Sequence, residues 1–506
     1  MSDWIKVKAK THGNKVAITE PSKDGGEWTF KDLNIRAENL AHYLKEELGV
    51  QKGDRVGAFI PNDVSVFDLF FASIKIGAVF IPINWRLKPT EIEGIIEDSG
   101  LKNIFYATDH LDRLSNINPD YIKLDVDKEE YQKIVDPSEH RPFDSIKSEK
   151  DDLVMLLYTS GTTGRPKGVQ LTHRTYLANM QQQIASWDIE TRHKALVSTP
   201  LFHVLGLVDS ALPMLYTSAE IVLDRFFDIE KINTLISEYK PNVLIMIPTM
   251  FYGIIAGPNF NATQLKEVEV MVQGGAPPLL KVNEAFDMFG IKIFNAYGMT
   301  EAGLVTVTTE TLYDETPESI GTPIMNVDTK IVGEDGEVVN TGELGELYIK
   351  GDNVTPGYYN LPEENKKAFT ADGYFKTGDL VRENKNGTLT LVNRSKELII
   401  TGGENVLPSE VEAVLSKHPL IRTAVVVGYE NEKYGESVSA AVMLNDDARN
   451  IDDWEETLNE FCLKNLAGYK TPKLYLELDE MPLTSVAKPD RLEIQRQMNE
   501  KAKKIV

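Results

Sequence analysis

Apolar residues recur with the periods of helices and strands along most of the chain. After Thr29, a predicted N-cap, six residues share one face of a helix: Leu33, Ala37, Leu40, Ala41, Leu44 and Leu48. DRVGAFIP at 54–61 then predicts a buried strand, VFDLFFASIKIG at 66–77 a helix, and AVFIPIN at 78–84 the next strand. Because strands that alternate with helices form parallel sheets covered by helices, the pattern predicts an α/β fold.

The same alternation continues through the middle of the chain. NVLIMIP at 242–248 and KIFNAYG at 292–298 predict two more buried strands. Between the two groups of strands, the acidic region from Asp109 to Asp151 predicts a solvated surface excursion. These patterns predict a large N-terminal domain of layered β-sheets and helices, over residues 1–393.

The pattern changes after about Asn393. SEVEAVLSKHP predicts a helix between the strands KELIIT and TAVVVGY, and VSAAVMLN can pair with the second of these strands. A further helix is predicted around 454–466. We therefore predict a small α+β C-terminal domain over residues 394–506.

Composition narrows the class of protein. The chain has 506 residues, of which 42% are hydrophobic and 26% charged, values typical of a globular protein with a large core. A single cysteine, Cys462, excludes an intramolecular disulfide and a thiolate metal cluster. The formal charge of −23 disfavours broad contact with nucleic acid. With no secretory signal and no apolar run of membrane-spanning length, we predict a cytoplasmic protein without an integral membrane segment.

The segment YTSGTTGRPKG at 158–168 is rich in anion-binding groups. Its glycines let backbone N–H groups turn toward one point, its hydroxyls add donors, and Arg165 and Lys167 add positive charge, which together predict a phosphate-binding loop. A Walker A P-loop is excluded, because Gly161 and Gly164 are only three apart and Gly168 stands where Ser or Thr is required.

This loop closely resembles the signature loop of the adenylate-forming enzymes, which include acyl-CoA synthetases, adenylation domains and luciferases. Six further motifs of that superfamily follow in its order: PLFHVLG, QGGAPP, NAYGMTEAG, GYFKTGDL, VNRSKELIITGGENVLPSEVE and MPLTSVAKPDR. The resemblance extends from about Thr29 to Arg491 and implies activation of a carboxylic acid as acyl-AMP. Its implied cofactors are ATP, CoA and Mg²⁺.

The resemblance also implies the residues that bind the nucleotide. Contacts to ATP are expected from five motifs and comprise Thr159, Ser160, Gly161, Thr162, Thr163, Gly164, Lys167, Gly275, Ala276, Pro277, Asn295, Ala296, Tyr297, Gly298, Met299, Thr300, Asp379 and Arg394. Within this set, Tyr297 is expected to stack on adenine and Asp379 to accept hydrogen bonds from the ribose hydroxyls. Glu301, with help from Thr159, is expected to bind Mg²⁺. His203 is expected to lie beside the substrate carboxylate.

In this superfamily the C-terminal domain is mobile and alternates between two poses. Lys488 matches the lysine that assists adenylation, and Lys396 matches the hinge between the domains. Gly402 and Gly403 match the loop along which the thiol arm of CoA approaches. The superfamily usually has glycine before the adenylation lysine, whereas this chain has Ala487, which could misplace the lysine if the position demands positive φ.

These observations predict an ATP-dependent acyl-CoA synthetase. The segments expected to form the acid pocket, 203–207, 273–275 and 298–305, are largely apolar and contain no Lys or Arg, which predicts a fatty or other apolar monocarboxylate. Alternatives are an aryl-CoA ligase such as a succinylbenzoate-CoA ligase, an acid-AMP ligase that loads a carrier protein, and a catalytically silent ATP-binding protein. Oligomeric state is not encoded in any of these motifs.

Overall fold

The computed structural model describes residues 3–23, 26–159, 166–276, 278, 280–333, 335–394, 399–445, 453–482 and 489–505. The chain divides into two compact units. The first comprises residues 1–85, 96–158 and 168–393, and the second comprises 86–95, 159–167 and 394–506. The predicted α/β fold with a large N-terminal and a small C-terminal part is confirmed. The predicted domain limits, 1–393 and 394–506, stay a prediction.

Strands and helices alternate along most of the chain, in the first unit and in the second. The strands are β1 Val16–Thr19, β2 Glu27–Thr29, β3 Arg55–Phe59, β4 Val79–Pro82, β5 Ile104–Tyr106, β6 Ile122–Asp125, β7 Leu153–Thr159, β8 Lys167–Thr172, β9 Lys194–Val197, β10 Glu220–Leu223, β11 Val243–Met246, β12 Val270–Gln273, β13 Phe294–Met299, β14 Gly303–Val307, β15 Thr322–Pro323, β16 Val327–Val332, β17 Leu344–Gly351, β18 Phe375–Glu383, β19 Leu389–Arg394, β20 Ile399–Thr401, β21 Glu404–Val406, β22 Ile421–Asn431, β23 Gly435–Leu444 and β24 Leu474–Glu477.

The helices are α1 Trp4–Thr11, α2 Phe30–His42, α3 Val64–Ile76, α4 Pro89–Ser99, α5 Glu129–Ile134, α6 His173–Trp187, α7 Val204–Gly206, α8 Leu212–Thr217, α9 Ile232–Tyr239, α10 Pro248–Ala256, α11 Ala262–Leu265, α12 Leu280–Asp287, α13 Glu310–Glu315, α14 Pro362–Ala368, α15 Pro408–Leu415, α16 Trp454–Asn465 and α17 Arg491–Ile505. Two π-helical segments, Tyr43–Glu47 and Leu207–Ala211, and two 3₁₀ segments, Thr108–Leu114 and Pro119–Tyr121, complete the helical structure. Within the described ranges, no helix combines the length and the apolar character needed to cross a membrane.

Three sheets form the first unit. One has six strands in the order β6-β5-β3-β4-β7-β8, and a second has nine in the order β15-β14-β13-β12-β11-β9-β10-β1-β2. The pairs β3–β4, β3–β5, β11–β12 and β12–β13 are all parallel, as the alternating pattern predicts. The third sheet has four strands in the order β16-β17-β18-β19. Strand β13 changes the pattern, because its other neighbour, β14, pairs with it in the antiparallel sense.

Local signals explain where the first helices begin and end. Thr29 caps α2 through a capping box with Asp32, and Asp63 caps α3 by accepting from the Ser65 N–H. Gly77 ends α3 with a φ of +69°, a left-handed conformation that favours glycine. The helix predicted to reach Leu48 ends at His42 and continues as the π-helical segment.

The largest hydrophobic core joins both large sheets to α2 and α3. It contains Phe67 and Phe70 of α3 together with Phe80 of the six-stranded sheet and Ile221 of the nine-stranded sheet. A second core, built from α9, α10 and α12, packs on strands of the nine-stranded sheet. The strands that carry site motifs are therefore packed on both sides, which makes them rigid supports.

The prediction of a solvated excursion from Asp109 to Asp151 is wrong. This region adds β6 to the six-stranded sheet and packs α5 against α2. Tyr131 and Phe143 are buried in the core. The acidic side chains are mostly exposed. Because they outnumber the few apolar residues that pack against the domain, the sequence pattern did not indicate this packing.

The second unit has its own sheet and core. Strands β21, β20, β23 and β22 pair in that order, with β24 parallel to β23 on its other side. The predicted pairing of VSAAVMLN with TAVVVGY is present as β23 and β22, which are antiparallel. Helices α15 and α16 cover a core that contains Val411, Leu458 and Cys462.

Candidate functional site

Glu301 lies in a tight turn between the antiparallel strands β13 and β14. Its carboxylate Oε1 accepts a hydrogen bond from the Tyr358 hydroxyl at 2.6 Å, and its backbone oxygen accepts from the Thr355 N–H at 2.7 Å. Burial, reinforced by the charge of Glu301, raises the pKa of Tyr358, so that this hydroxyl stays a donor. The predicted metal-binding carboxylate is therefore held through its side chain and its backbone.

Tyr358 was not anticipated from the sequence. It belongs to the segment Asn353–Tyr359, which also contacts the strand that follows the predicted phosphate loop: Thr355 Oγ1 donates to Gln170 O at 2.8 Å, and the Tyr359 N–H donates to Gly168 O at 2.7 Å. The tyrosine pair in TPGYYN, directly after a Pro-Gly turn, was the available signal. Only folding shows that one of the two tyrosines reaches Glu301.

Two predicted nucleotide residues meet directly. The Tyr297 hydroxyl of β13 donates to Asp379 Oδ2 of β18 at 2.5 Å, and both side chains are nearly fully buried. Strand β18 has a bulge before Asp379, where the Gly378 N–H donates to Glu346 Oε1 at 2.9 Å. The structure thus brings the residue expected at adenine and the residue expected at ribose into one hydrogen-bonded pair.

The segment that carries His203 lies against the predicted adenine loop. A Cβ atom at Gly275, whose φ is +75°, would lie 3.4 Å from Leu205 Cδ2. A Cβ atom at Gly206 would lie 2.2 Å from Pro200 O, so only glycine fits there. The His203 ring contacts the ring of Phe202, with centroids 4.5 Å apart.

Asn62 holds the loop that precedes His203. Its Oδ1 accepts from the Leu201 N–H at 2.8 Å, and its Nδ2 donates to the carbonyls of Thr199 and Asp224 at 3.1 and 3.0 Å. Asn62 is buried and lies more than 130 residues before the loop. Nothing in the sequence pattern near Asn62 indicates this role, because the contact exists only after folding.

The side chain of Asn295 is engaged in the protein interior. Its Nδ2 donates to the carbonyls of Pro317 and Ser319, each at 2.8 Å, and its Oδ1 accepts from Gln273 Nε2 at 2.8 Å. These bonds tie the QGG segment to β13. The neighbours Ala296, Gly298 and Met299 lie along the same strand, and the nucleotide contacts expected of all four stay predictions.

Ala276 follows Gly275 in the first unit, and Thr300 lies in the turn after β13; the nucleotide contacts expected of both stay predictions. The other predicted residues fall in the second unit or outside the described residues. Thr159 ends β7 and Lys167 begins β8. Gly402 and Gly403 form the two-residue turn between β20 and β21, with φ of +57° and +82°, as a tight hairpin requires. Ser160, Gly161, Thr162, Thr163, Gly164, Pro277, Lys396, Lys488 and the side chain of Arg394 lie outside what the structure describes.

The described residues contain no group of three or more His, Cys, Asp or Glu side chains arranged to hold a metal ion. A site for Mg²⁺ needs fewer protein ligands, because this ion is commonly held by one or two carboxylates together with substrate phosphates and water. Glu301 forms no ion pair with a cation of the described chain, and it offers a carboxylate oxygen of the kind that Mg²⁺ prefers.

The sequence profile of the AMP-binding enzyme family matches residues 5–359, and the profile of the AMP-binding enzyme C-terminal domain matches residues 410–488. A feruloyl-CoA synthase of Amycolatopsis is 32% identical over 497 residues, which cover 98% of each chain. A long-chain-fatty-acid–CoA ligase of Mycobacterium tuberculosis is 30% identical, over 96% of this chain and 95% of the relative.

The fold is likewise similar to solved structures. An o-succinylbenzoate CoA synthetase from Bacillus subtilis, bound to a product analogue, superimposes with a TM-score of 0.84 at 26% identity. The match covers 98% of both chains.

Proposed function

This chain belongs to the AMP-binding enzymes and is an AMP-forming acid–thiol ligase, and from this premise we propose that it is an acyl-CoA synthetase for an apolar monocarboxylate. A carboxylate oxygen of the acid attacks the α-phosphorus of ATP, and the bond to pyrophosphate breaks to leave acyl-AMP. The thiol of CoA, after loss of its proton, then attacks the acyl carbon, and AMP leaves.

The observation that carries this proposal is the pair of tyrosine–carboxylate contacts around β13. Tyr297 of β13 donates to Asp379 of β18, and Tyr358 donates to Glu301, which lies four residues after Tyr297 in the turn that ends β13. Asp379 is suited to accept two ribose hydroxyls, because a carboxylate offers two oxygens. Glu301 is suited to a cation that accompanies the phosphates.

Mg²⁺ would be held by Glu301 in this proposal, with Thr159 as a second predicted ligand. When bound, the ion neutralises the charge that develops on the phosphate oxygens. Lys488 is assigned a matching task on the same charge during adenylation. His203 orients the acid carboxylate, and Tyr358 keeps Glu301 in place.

The acid class rests on the apolar walls. Leu207, Leu304 and Val305 are buried, and Val204 and Met299 are partly buried against the same core. A wall of this kind favours an acyl chain by about 0.8 kcal/mol for each buried methylene. An aryl acid is the second candidate, because relatives that act on feruloyl and succinylbenzoate groups resemble the chain as closely as the fatty-acid ligases do.

Pyrophosphate release with a panel of acids tests the proposal. Decanoate, palmitate, ferulate, 2-succinylbenzoate and malonate are each supplied with ATP and Mg²⁺, and loss of free CoA thiol is followed in parallel. We expect pyrophosphate and thioester with at least one apolar monocarboxylate. Selective activity on malonate would contradict the acid class, and pyrophosphate release without loss of CoA thiol would favour an acid-AMP ligase.

Lys488→Ala separates the two half-reactions. We expect adenylate formation to fall about 10²-fold or more, the loss of one donor aimed at the transition-state charge. Thioester formation from supplied acyl-adenylate should change little. Equal slowing of both half-reactions would show that Lys488 is not the adenylation lysine, and the preceding Ala487 would then indicate a different catalytic arrangement.

A variant that tests the predicted CoA loop has to keep the left-handed backbone conformation of its turn. Because Gly403 has a φ of +82°, a bulky substitution strains the backbone and obstructs the thiol at once. Gly403→Asn adds a side chain that tolerates left-handed φ. We expect it to slow the thioester half-reaction while leaving pyrophosphate release intact.

A further inference from the structure

Asn179 occupies an unusual position in the middle of α6. Its side chain is 1% exposed and uses both ends of its amide. Oδ1 accepts from the Leu304 N–H at 3.0 Å, and Nδ2 donates to the carboxylate of Asp209. Because an amide oxygen accepts and an amide nitrogen donates, Oδ1 has to face the Leu304 N–H and Nδ2 has to face Asp209.

Asn179 can approach the backbone of the turn closely because residue 303 is a glycine. A Cβ atom at Gly303, whose φ is +60°, would lie 2.4 Å from the Asn179 side chain. Both the left-handed conformation and the missing side chain of Gly303 are therefore needed for Asn179 to reach Leu304. Glycine at position 303 and asparagine at position 179 depend on one another.

The two partners of Asn179 lie next to segments of the proposed site. Leu304 lies three residues after Glu301, directly beyond the turn. Asp209 lies in the π-helical segment Leu207–Ala211, which follows the short helix after His203. Single π-helical turns are frequent at functional sites, where they redirect a short stretch of helix.

Asn353 forms further hydrogen bonds to the backbone of the turn and of β14. Asn353 Nδ2 donates to the carbonyls of Ala302 and Leu304 at 2.8 and 3.2 Å. Asn353 thus holds the carbonyls of the turn, and Asn179 holds its N–H group. Through Asn179, the Leu304 N–H at the end of the turn is therefore linked to Asp209 in the segment that follows His203.

We propose that Asn179 and Asp209 are a pair of positioning residues, which fixes the turn that carries Glu301 relative to the segment that carries His203. The inference rests on the proposed function, in which Glu301 serves Mg·ATP and His203 serves the acid. Neither residue touches the reacting atoms; the pair acts by holding two site segments in register. Since these groups are buried, loss of the Asn179 amide leaves the Leu304 N–H unsatisfied and removes one donor from Asp209, which displaces the turn.

An exchange of the two residues tests the pair. Asn179→Asp places two carboxylates together and removes the donor to Asp209. The double variant Asn179→Asp with Asp209→Asn restores complementarity, because Asp accepts from both the Leu304 N–H and the new amide at position 209. Equilibrium binding of Mg·ATP by calorimetry and the KM for Mg·ATP in pyrophosphate release are measured for all variants.

We expect Asn179→Asp to weaken Mg·ATP binding by about tenfold and the double variant to recover to within about threefold, the size of coupling found between residues in direct contact. Asn179→Ala, which buries no second carboxylate, gives the same weakening if Asn179→Asp does not fold. Recovery in the double variant is the result that a merely structural defect does not produce.

Asn233→Asp is the matched control. Asn233 is also a buried helical asparagine, and its Nδ2 donates to the carbonyls of Ile254 and Pro258 at 2.8 and 2.9 Å, away from the site motifs. We expect it to lower the melting temperature and leave the Mg·ATP affinity of the folded protein unchanged. If Asn179→Asp behaves like this control, or the double variant fails to recover, the inference is wrong.

A different result would contradict the proposed function without contradicting the Asn179–Asp209 pair. If the wild-type chain binds Mg·ATP and releases no pyrophosphate with any acid, the ligase proposal for these acids is wrong. The binding measurements on the variants still decide whether Asn179 and Asp209 act as a pair.

Discussion

Asp68 and Glu301 are two carboxylates that accept a hydrogen bond from a tyrosine, and their surroundings differ in burial and in the presence of a cation. Asp68 is fully buried, accepts from the Tyr131 hydroxyl at 3.1 Å, and forms a two-bond ion pair with Arg36 at 2.9 and 2.6 Å. Glu301 accepts from Tyr358 at 2.6 Å without an ion-paired cation in the described chain.

In the proposed function, this difference separates a structural carboxylate, Asp68, from one that serves the reaction, Glu301. In the core the countercharge is built into the chain, so that the charge of Asp68 is neutralised permanently. At the turn of Glu301 the Tyr358 hydroxyl donates to the carboxylate. In the proposed function, the charge of Glu301 would be balanced by the Mg²⁺ that accompanies ATP. A tyrosine partner is therefore common to both carboxylates and does not distinguish their proposed roles. What distinguishes them is the ion pair with a cationic side chain, Arg36, which is present at Asp68.

Asp68→Asn should produce the largest effect on stability. It leaves the Arg36 guanidinium buried without a countercharge, and we expect the free energy of unfolding to fall by about 3–5 kcal/mol. Urea denaturation measures this loss. The rate of pyrophosphate release per folded molecule should stay within about twofold of wild type, and a much larger loss would mean that Asp68 also serves the site.

Glu301→Gln should show the opposite behaviour. The amide keeps the shape of the side chain and removes its charge, so we expect adenylate formation to fall about 10²-fold, or roughly 2.7 kcal/mol. The melting temperature should change little, because no buried cation loses its partner. An unchanged dependence of the rate on Mg²⁺ concentration would sink the assignment of Glu301 to the metal.

A matched pair of tyrosine variants sharpens the comparison. Tyr358→Phe and Tyr131→Phe each remove one hydroxyl that donates to a carboxylate, an interaction worth about 1.5–3 kcal/mol. We expect Tyr358→Phe to raise the Mg²⁺ concentration needed for half-maximal adenylation by about tenfold. Tyr131→Phe should lower only the free energy of unfolding. If both variants lower stability alone, Tyr358 has no positioning role.

A pH-dependent effect concerns the buried carboxylate of Asp209. Burial raises the pKa of Asp209 to about 7, and hydrogen bonds from Asn179 and Gln183 offset only part of that shift. Because the folded state holds this proton more tightly than the unfolded state, its contribution to stability is complete below about pH 4 and is lost as the pH rises toward 7.

Asp209→Asn removes that titration. We expect the unfolding free energy of the variant minus that of wild type to rise across this window, with a slope of at most about 1.4 kcal/mol per pH unit. Urea denaturation at pH 4.5, 5.5, 6.5 and 7.5 measures the slope. A difference that does not change with pH would show that Asp209 is ionised throughout.

The sequence by itself determined the alternation of strands and helices, because that pattern follows from local periodicity and from caps such as Thr29 with Asp32 and Gly77. It also determined the family and the motif residues, including Tyr297, Glu301 and Asp379, since each lies in a short contiguous motif. The packing of residues 109–151 against the domain was not predicted, because the abundant exposed charge of this region outnumbers its few core side chains such as Tyr131.

Only the tertiary structure decided which side chains support the site. Asn62 reaches the loop before His203 from more than 130 residues away, and Asn179 reaches Leu304 from 125 residues away. Such contacts leave no periodic trace, because a buried asparagine within an apolar helix is compatible with many partners and its hydrogen bonds depend on how the helices and strands pack. The motif residues can thus be predicted from the chain, and the residues that hold them can be identified only after it folds.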